Sequence, residues 1–144
     1  MRCLMIVKAT PLSERGELPP DAETLFAEMA AFNNAMIAAG VMLDGAGLKP
    51  SSAGKRVRFE GRGKTAVADG PFAGDLVAGY WVIECKDMDE ALGWARRVPF
   101  ADGEIELRPF HEPEDFAGVA PDDAVAQEQA WRAEQARQAP KAPA

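Results

Sequence analysis

AGYWVIECKDMDEALGWARRVP, residues 78–99, sets a strand directly before a helix. Along the strand Trp81, Ile83 and Cys85 share one face, and Tyr80 and Val82 the other. Asp87 is a helix N-cap, with Glu90 three residues on as its capping-box partner. Met88, Ala91, Leu92 and Ala95 form an apolar stripe. Pro99 stops the helix, because the residue before a proline is pushed out of helical geometry.

The same logic extends outward. Met1 to Ala9 alternates, with Cys3, Met5 and Val7 opposite Leu4 and Ile6; apolar on both faces, it is a central strand. Thr10 to Pro20 holds three prolines and is expected to be a loop. Asp21 is the expected cap of a helix whose stripe is Leu25, Met29, Phe32 and Met36, widened by Phe26 and Ile37. Gly40 ends it. Val41 to Leu48 is a weaker strand, Arg56 to Phe59 a strand with one wet face, and Thr65 to Ala68 a short strand. Glu104 to Phe110 is the last, with Ile105 and Leu107 facing away from Glu106, Arg108 and Phe110.

This order predicts an antiparallel sheet with two helices on one face, an α+β ferredoxin-like βαββαβ sandwich. The other sheet face then carries Leu4, Ile6, Tyr80, Val82 and Phe110 without a cover. Apolar patches of that size rarely stay in water, and a second copy related by a two-fold axis is the simplest cover. The rival cover is the C-terminal segment acting as a lid. The expected division is a domain over residues 1–116 and an extension over 117–144, helical around Val125 to Arg137 and disordered from Pro140.

Composition narrows the partners. The 144 residues carry a net charge of −7, which disfavours a nucleic-acid backbone. One local stretch runs the other way. Lys49 to Lys64 holds six basic residues against Glu60, either an anion-contacting strip or a solvated edge strand protected by its charges. Cys3 and Cys85 sit in apolar strands, as free thiols do in a reducing cytoplasm; a bridge between neighbouring strands is the alternative. No run approaches the roughly 20 apolar residues of a membrane span, and the N-terminus lacks the features of a signal peptide. A cytoplasmic location is expected.

The corner Asp69-Gly70-Pro71-Phe72 is the first candidate site. Asp69 is a turn former, or a carboxylate at a pocket rim able to act as general base. Phe72 plugs the core or interface beneath the turn, or lines a pocket. Tyr80 and Arg108 are the other ligand-binding candidates, and Arg108 either grips an anion or pairs with a carboxylate such as Glu106. One histidine and two separated thiols give no zinc spacing, and "GAGLKPSSAG" lacks the ending of a phosphate-binding loop, so no cofactor or metal is expected.

On these residues the chain resembles the YCII-related family, and in particular its DGPF-domain branch. The similarity covers DGPF itself, "LVAGYWVIECKDMDEALGWARRVPF", "GEIELRPF" and "AAGVMLDGAGLKPS", spanning Met1 to about Phe110. It implies a dimeric α/β barrel and no settled reaction. Two features depart from the pattern. The charged run that usually follows DGPF is shortened to "AGDLVAGY". The YCII branch's His–Asp pair has no counterpart on the first helix, since the sole histidine is His111.

Three functions remain open. The first is a homodimer binding a small organic molecule, anionic in one version, in a cavity near the dimer interface. The second is a cofactor-free enzyme with Asp69 as base and Arg108 as anion holder. The third is a purely structural or interaction dimer. A cavity shared by Asp69 and Arg108 discriminates among them.

Overall fold

Strand β1 (Arg2–Lys8) is the element against which the rest is registered. In the computed structural model, which describes residues 1–138, β1 pairs with β5 (Val77–Glu84) on one side and β6 (Ile105–Pro109) on the other. β2 (Met42–Gly47) adds outside β5, giving the order β2-β5-β1-β6, antiparallel throughout. Helix α2 (Ala22–Ala38) links β1 to β2, and α3 (Met88–Ala95) links β5 to β6. Two split βαβ crossovers on one antiparallel sheet make the α+β, ferredoxin-like arrangement expected from the element order.

Register fixes the core. Met5 lies opposite both Trp81 and Leu107, and Cys3 opposite Ile83. Phe32 and Met36 from α2 and Ala91 from α3 pack on that face. Burying a side chain of this size stabilises by about 1.5–3 kcal/mol. The Phe32 ring meets Trp81 edge-on, with centroids 5.4 Å apart. By alternation Leu4, Ile6, Tyr80 and Val82 fall on the opposite face, where each is half-buried.

Several local expectations change. The Thr10–Pro20 loop contains a helical turn, α1 (Pro11–Glu14), because Thr10 and Ser13 form a capping box. Asp21 precedes α2 but makes no capping bond; its backbone lacks the extended geometry that aims a capping carboxylate at the first turn. Phe26 and Ile37 are exposed, so the contact stripe of α2 is narrower than expected. Met88 and Leu92 are likewise open, and Ala91, with the half-buried Trp94 and Ala95, carries the α3 contact. The Glu90 carboxylate accepts from the Lys86 N–H, one residue before the cap.

β3 (Lys55–Phe59) and β4 (Thr65–Asp69) form a separate two-stranded sheet. Every residue of β3 is exposed, so it has no dry face. The chain divides into two compact units, Met1–Phe110 and a second beginning at His111. The second unit contains α4 (Asp122–Gln138), longer than the expected helix, whose Arg132 bonds Glu128 and the His111 carbonyl. The expectation of disorder from Pro140 lies outside the described residues.

Candidate functional site

The Asp69–Phe72 corner is held by hydrogen bonds from a distant loop. The Gly70 N–H donates to the Gly54 carbonyl at 3.0 Å. A Cβ on Gly70 would stand 1.8 Å from the Ser51 carbonyl oxygen, so only glycine fits this approach. The Phe72 N–H donates to Ser51 Oγ at 2.9 Å, and that hydroxyl donates to Glu14 Oε2 at 2.8 Å. The Ser51 N–H donates to the same carboxylate. Glu14 on α1 thus holds Ser51, and Ser51 holds the corner.

Asp69 closes the arrangement at its outer edge. Its carboxylate accepts from Lys55 Nζ at 2.5 Å, and its side chain is 73% exposed. Phe72 lies beneath the Arg56 guanidinium, 4.0 Å from ring centroid to Cζ. The Tyr80 hydroxyl donates to Asp44 at 3.4 Å. Arg108 pairs with Glu106 at 3.4 Å, with its side chain 68% exposed. These four candidates are not gathered into one cavity. Tyr80 lines a depression beside Gly45 and Trp81, and Phe72 a half-open hollow of about 620 Å³ on the β3–β4 hairpin, with Arg56, Arg58 and Val67.

A second cavity of similar size, with more apolar wall, lies at the end of the sheet where β1 stops. It is a half-open cleft of about 600 Å³, walled by Val7, Leu12, Leu18, Leu25, Pro99 and Phe100. Its polar lining is acidic: Glu17, Asp21, Glu28, Asp102 and Glu104 against Lys8. Lys8 is itself committed, to Asp75 at 3.0 Å and Glu106 at 3.6 Å. The Asp75 hydrogen bond holds its ammonium above the usual lysine range. A smaller depression of about 240 Å³ shares Val7, Ala78 and Phe100 with the cleft. There Trp81 Nε1 donates to Asn33 Oδ1 at 2.9 Å, which satisfies a largely buried indole.

Glu14, Ser51, Asn33 and the cleft residues were not among the sequence candidates. Asn33 alone carried a signal, being a polar residue directly after Phe32 in the helix stripe. The cleft draws on segments far apart in sequence, which no local pattern announces.

Both thiols are free and buried. Burial, with the nearby Glu90 carboxylate adding to it, pushes Cys85 up to about 11. Cys3 is also raised by burial. Such thiols resist ionisation and are poor nucleophiles. Among the described residues no group of three or more His, Cys, Asp or Glu side chains is placed to hold a metal ion. No helix among them is long and apolar enough to cross a membrane.

A ferredoxin-like α+β domain with an apolar cleft at one sheet end and a clasped glycine-proline corner is the class that fold and site define. The profile of the YCII-related domain matches residues 1–112, and the chain belongs to that family. It is 34% identical over 93 residues to uncharacterized protein R00369 of Rhizobium meliloti (strain 1021), an overlap covering 61% of this chain and 74% of that one.

Proposed function

We propose that this YCII-related domain is a homodimeric protein that binds a small, largely apolar organic molecule in the cleft at the end of β1. The cleft carries the reading: its volume lies within the range of small-molecule sites, and apolar walls with a few polar groups at the rim are the usual composition of such sites. Its acidic rim favours a neutral or cationic ligand over an anionic one. The adjoining depression, where Trp81 meets Asn33, extends the same site.

The dimer reading rests on Leu4, Ile6, Tyr80 and Val82, which register places side by side on the face away from the helices. Apolar area removed from water there stabilises by roughly 25 cal/mol per Å². Closing two such sheets on each other gives the dimeric α/β barrel. The Asp69-Gly70-Pro71-Phe72 corner supports placing the chain in the family's DGPF-domain branch, and two unbridged thiols suit a cytoplasmic setting. The enzyme reading ranks behind, because Asp69 is engaged by Lys55 and Arg108 by Glu106, on no common cavity.

A thermal-shift screen of metabolites tests this. The expected hits stabilise wild type, Asp69→Asn and Arg108→Ala alike, and lose their effect on Phe100→Ala and Leu25→Gln. Hits that fail on Asp69→Asn or Arg108→Ala and survive both cleft changes would move the site to the enzyme reading.

A further inference from the structure

We propose that the β3–β4 hairpin of one chain docks over the acid-rimmed cleft of a second copy, so that in a two-fold dimer each arm closes its partner's cleft. The inference rests on the homodimer reading above and adds to it: the site is incomplete in a single chain.

The arm has an unpartnered surface. Val57, Phe59 and Val67 stand on one face of the hairpin, with Val57 directly opposite Val67. They are 53%, 78% and 63% exposed. A two-stranded sheet with an open apolar face is marginal by itself and calls for a cover. Its other face carries Arg56 and Arg58, and the turn carries Arg62 and Lys64.

Charge decides what the cover is. The hairpin, residues 55–69, holds five basic side chains and two acids, one of them the Asp69 already paired with Lys55, so two arms facing each other repel. The cleft lining holds five acids and one lysine; the lysine is paired with Asp75 and one acid, Glu17, with Arg15, which leaves four acids with no basic partner among the described residues. The cleft mouth also offers exposed apolar groups, Leu18 and Phe100, to meet Phe59. No residue of the arm lines the cleft of its own chain. A basic arm with an apolar face and an acidic cleft with apolar walls are complementary, and two-fold symmetry uses both pairs at once.

The test is site-directed cross-linking. A tagged Glu60→Cys chain is mixed with an untagged Ala101→Cys chain and treated with a short bis-maleimide; buried Cys3 and Cys85 keep the background low. The expected product is one tagged chain linked to one untagged chain. Adding Arg62→Glu and Lys64→Glu at the turn should cut its yield about tenfold, while leaving Arg56 on the Phe72 ring. Circular dichroism checks that this variant is folded. Links between two Glu60→Cys chains, or none in a sample that sediments as a dimer, overturn the arm contact and leave the dimer standing. A chain that sediments as a monomer and retains heparin through the arm overturns both. The ligand reading is judged separately, by the thermal-shift screen.

Discussion

Phe72 is tied to Ser51: its N–H donates 2.9 Å to the serine hydroxyl, which Glu14 holds from the other side. The corner is therefore a clasp between two loops and the inserted turn α1. Ser51→Ala leaves the Phe72 N–H without this acceptor and should cost about 1–3 kcal/mol in urea unfolding. Gly70→Ala should cost more, because its methyl would collide with the Ser51 backbone. Equal stability of both variants with wild type would contradict the clasp.

Asp69 answers differently. Its pair with Lys55 is largely exposed on both sides. Asp69→Asn should change stability by less than about 1 kcal/mol, and by less still in high salt. Urea titrations at low and high ionic strength measure both. A large loss insensitive to salt would mean that the carboxylate has a further partner.

The Trp81–Asn33 bond forms the floor of the smaller depression. Asn33→Leu leaves the indole N–H without its partner, while Trp81→Phe removes the donor itself. A double-mutant cycle should give a coupling of about 1 kcal/mol. A coupling near zero would show that water replaces the amide without loss.

Cys85 makes stability depend on pH in a defined window. In the unfolded chain the thiol ionises near 9.0, whereas in the fold it holds its proton to about 11. Below pH 9 both states are protonated and the thiol contributes no slope. Between 9 and 11 the unfolded chain loses its proton first, so stability falls as pH rises. Comparing wild type with Cys85→Ala across that window isolates the effect; parallel curves would contradict it. Alkylation of Cys85 at pH 9 should be slow until the protein is unfolded.

The fold was legible because its signals are local. Alternation in Met1–Ala9 and in Tyr80–Cys85, the Asp87 cap and Pro99 each state their own structure, and register then follows from which faces are apolar. Phe26, Ile37 and Leu92 misled because an apolar residue on a helix is not told by sequence how wide the contact will be. The site was less legible. The clasp joins Glu14 to Ser51 and Ser51 to Phe72, and polar residues met across long loops leave no periodic trace. The cleft gathers Leu12, Leu25 and Phe100 in the same way. Arg108 and Asp69 drew attention by chemical type, and the structure puts each beside a neighbour of opposite charge.

The most direct measurement is amide chemical-shift mapping of the isotope-labelled protein with the compounds that pass the thermal screen. A ligand seated in the cleft shifts the amides of Val7, Ser13, Leu25, Phe100 and Gly103 most. Shifts concentrated at Asp69 to Phe72 and Arg56, with the cleft amides unmoved, would contradict that placement.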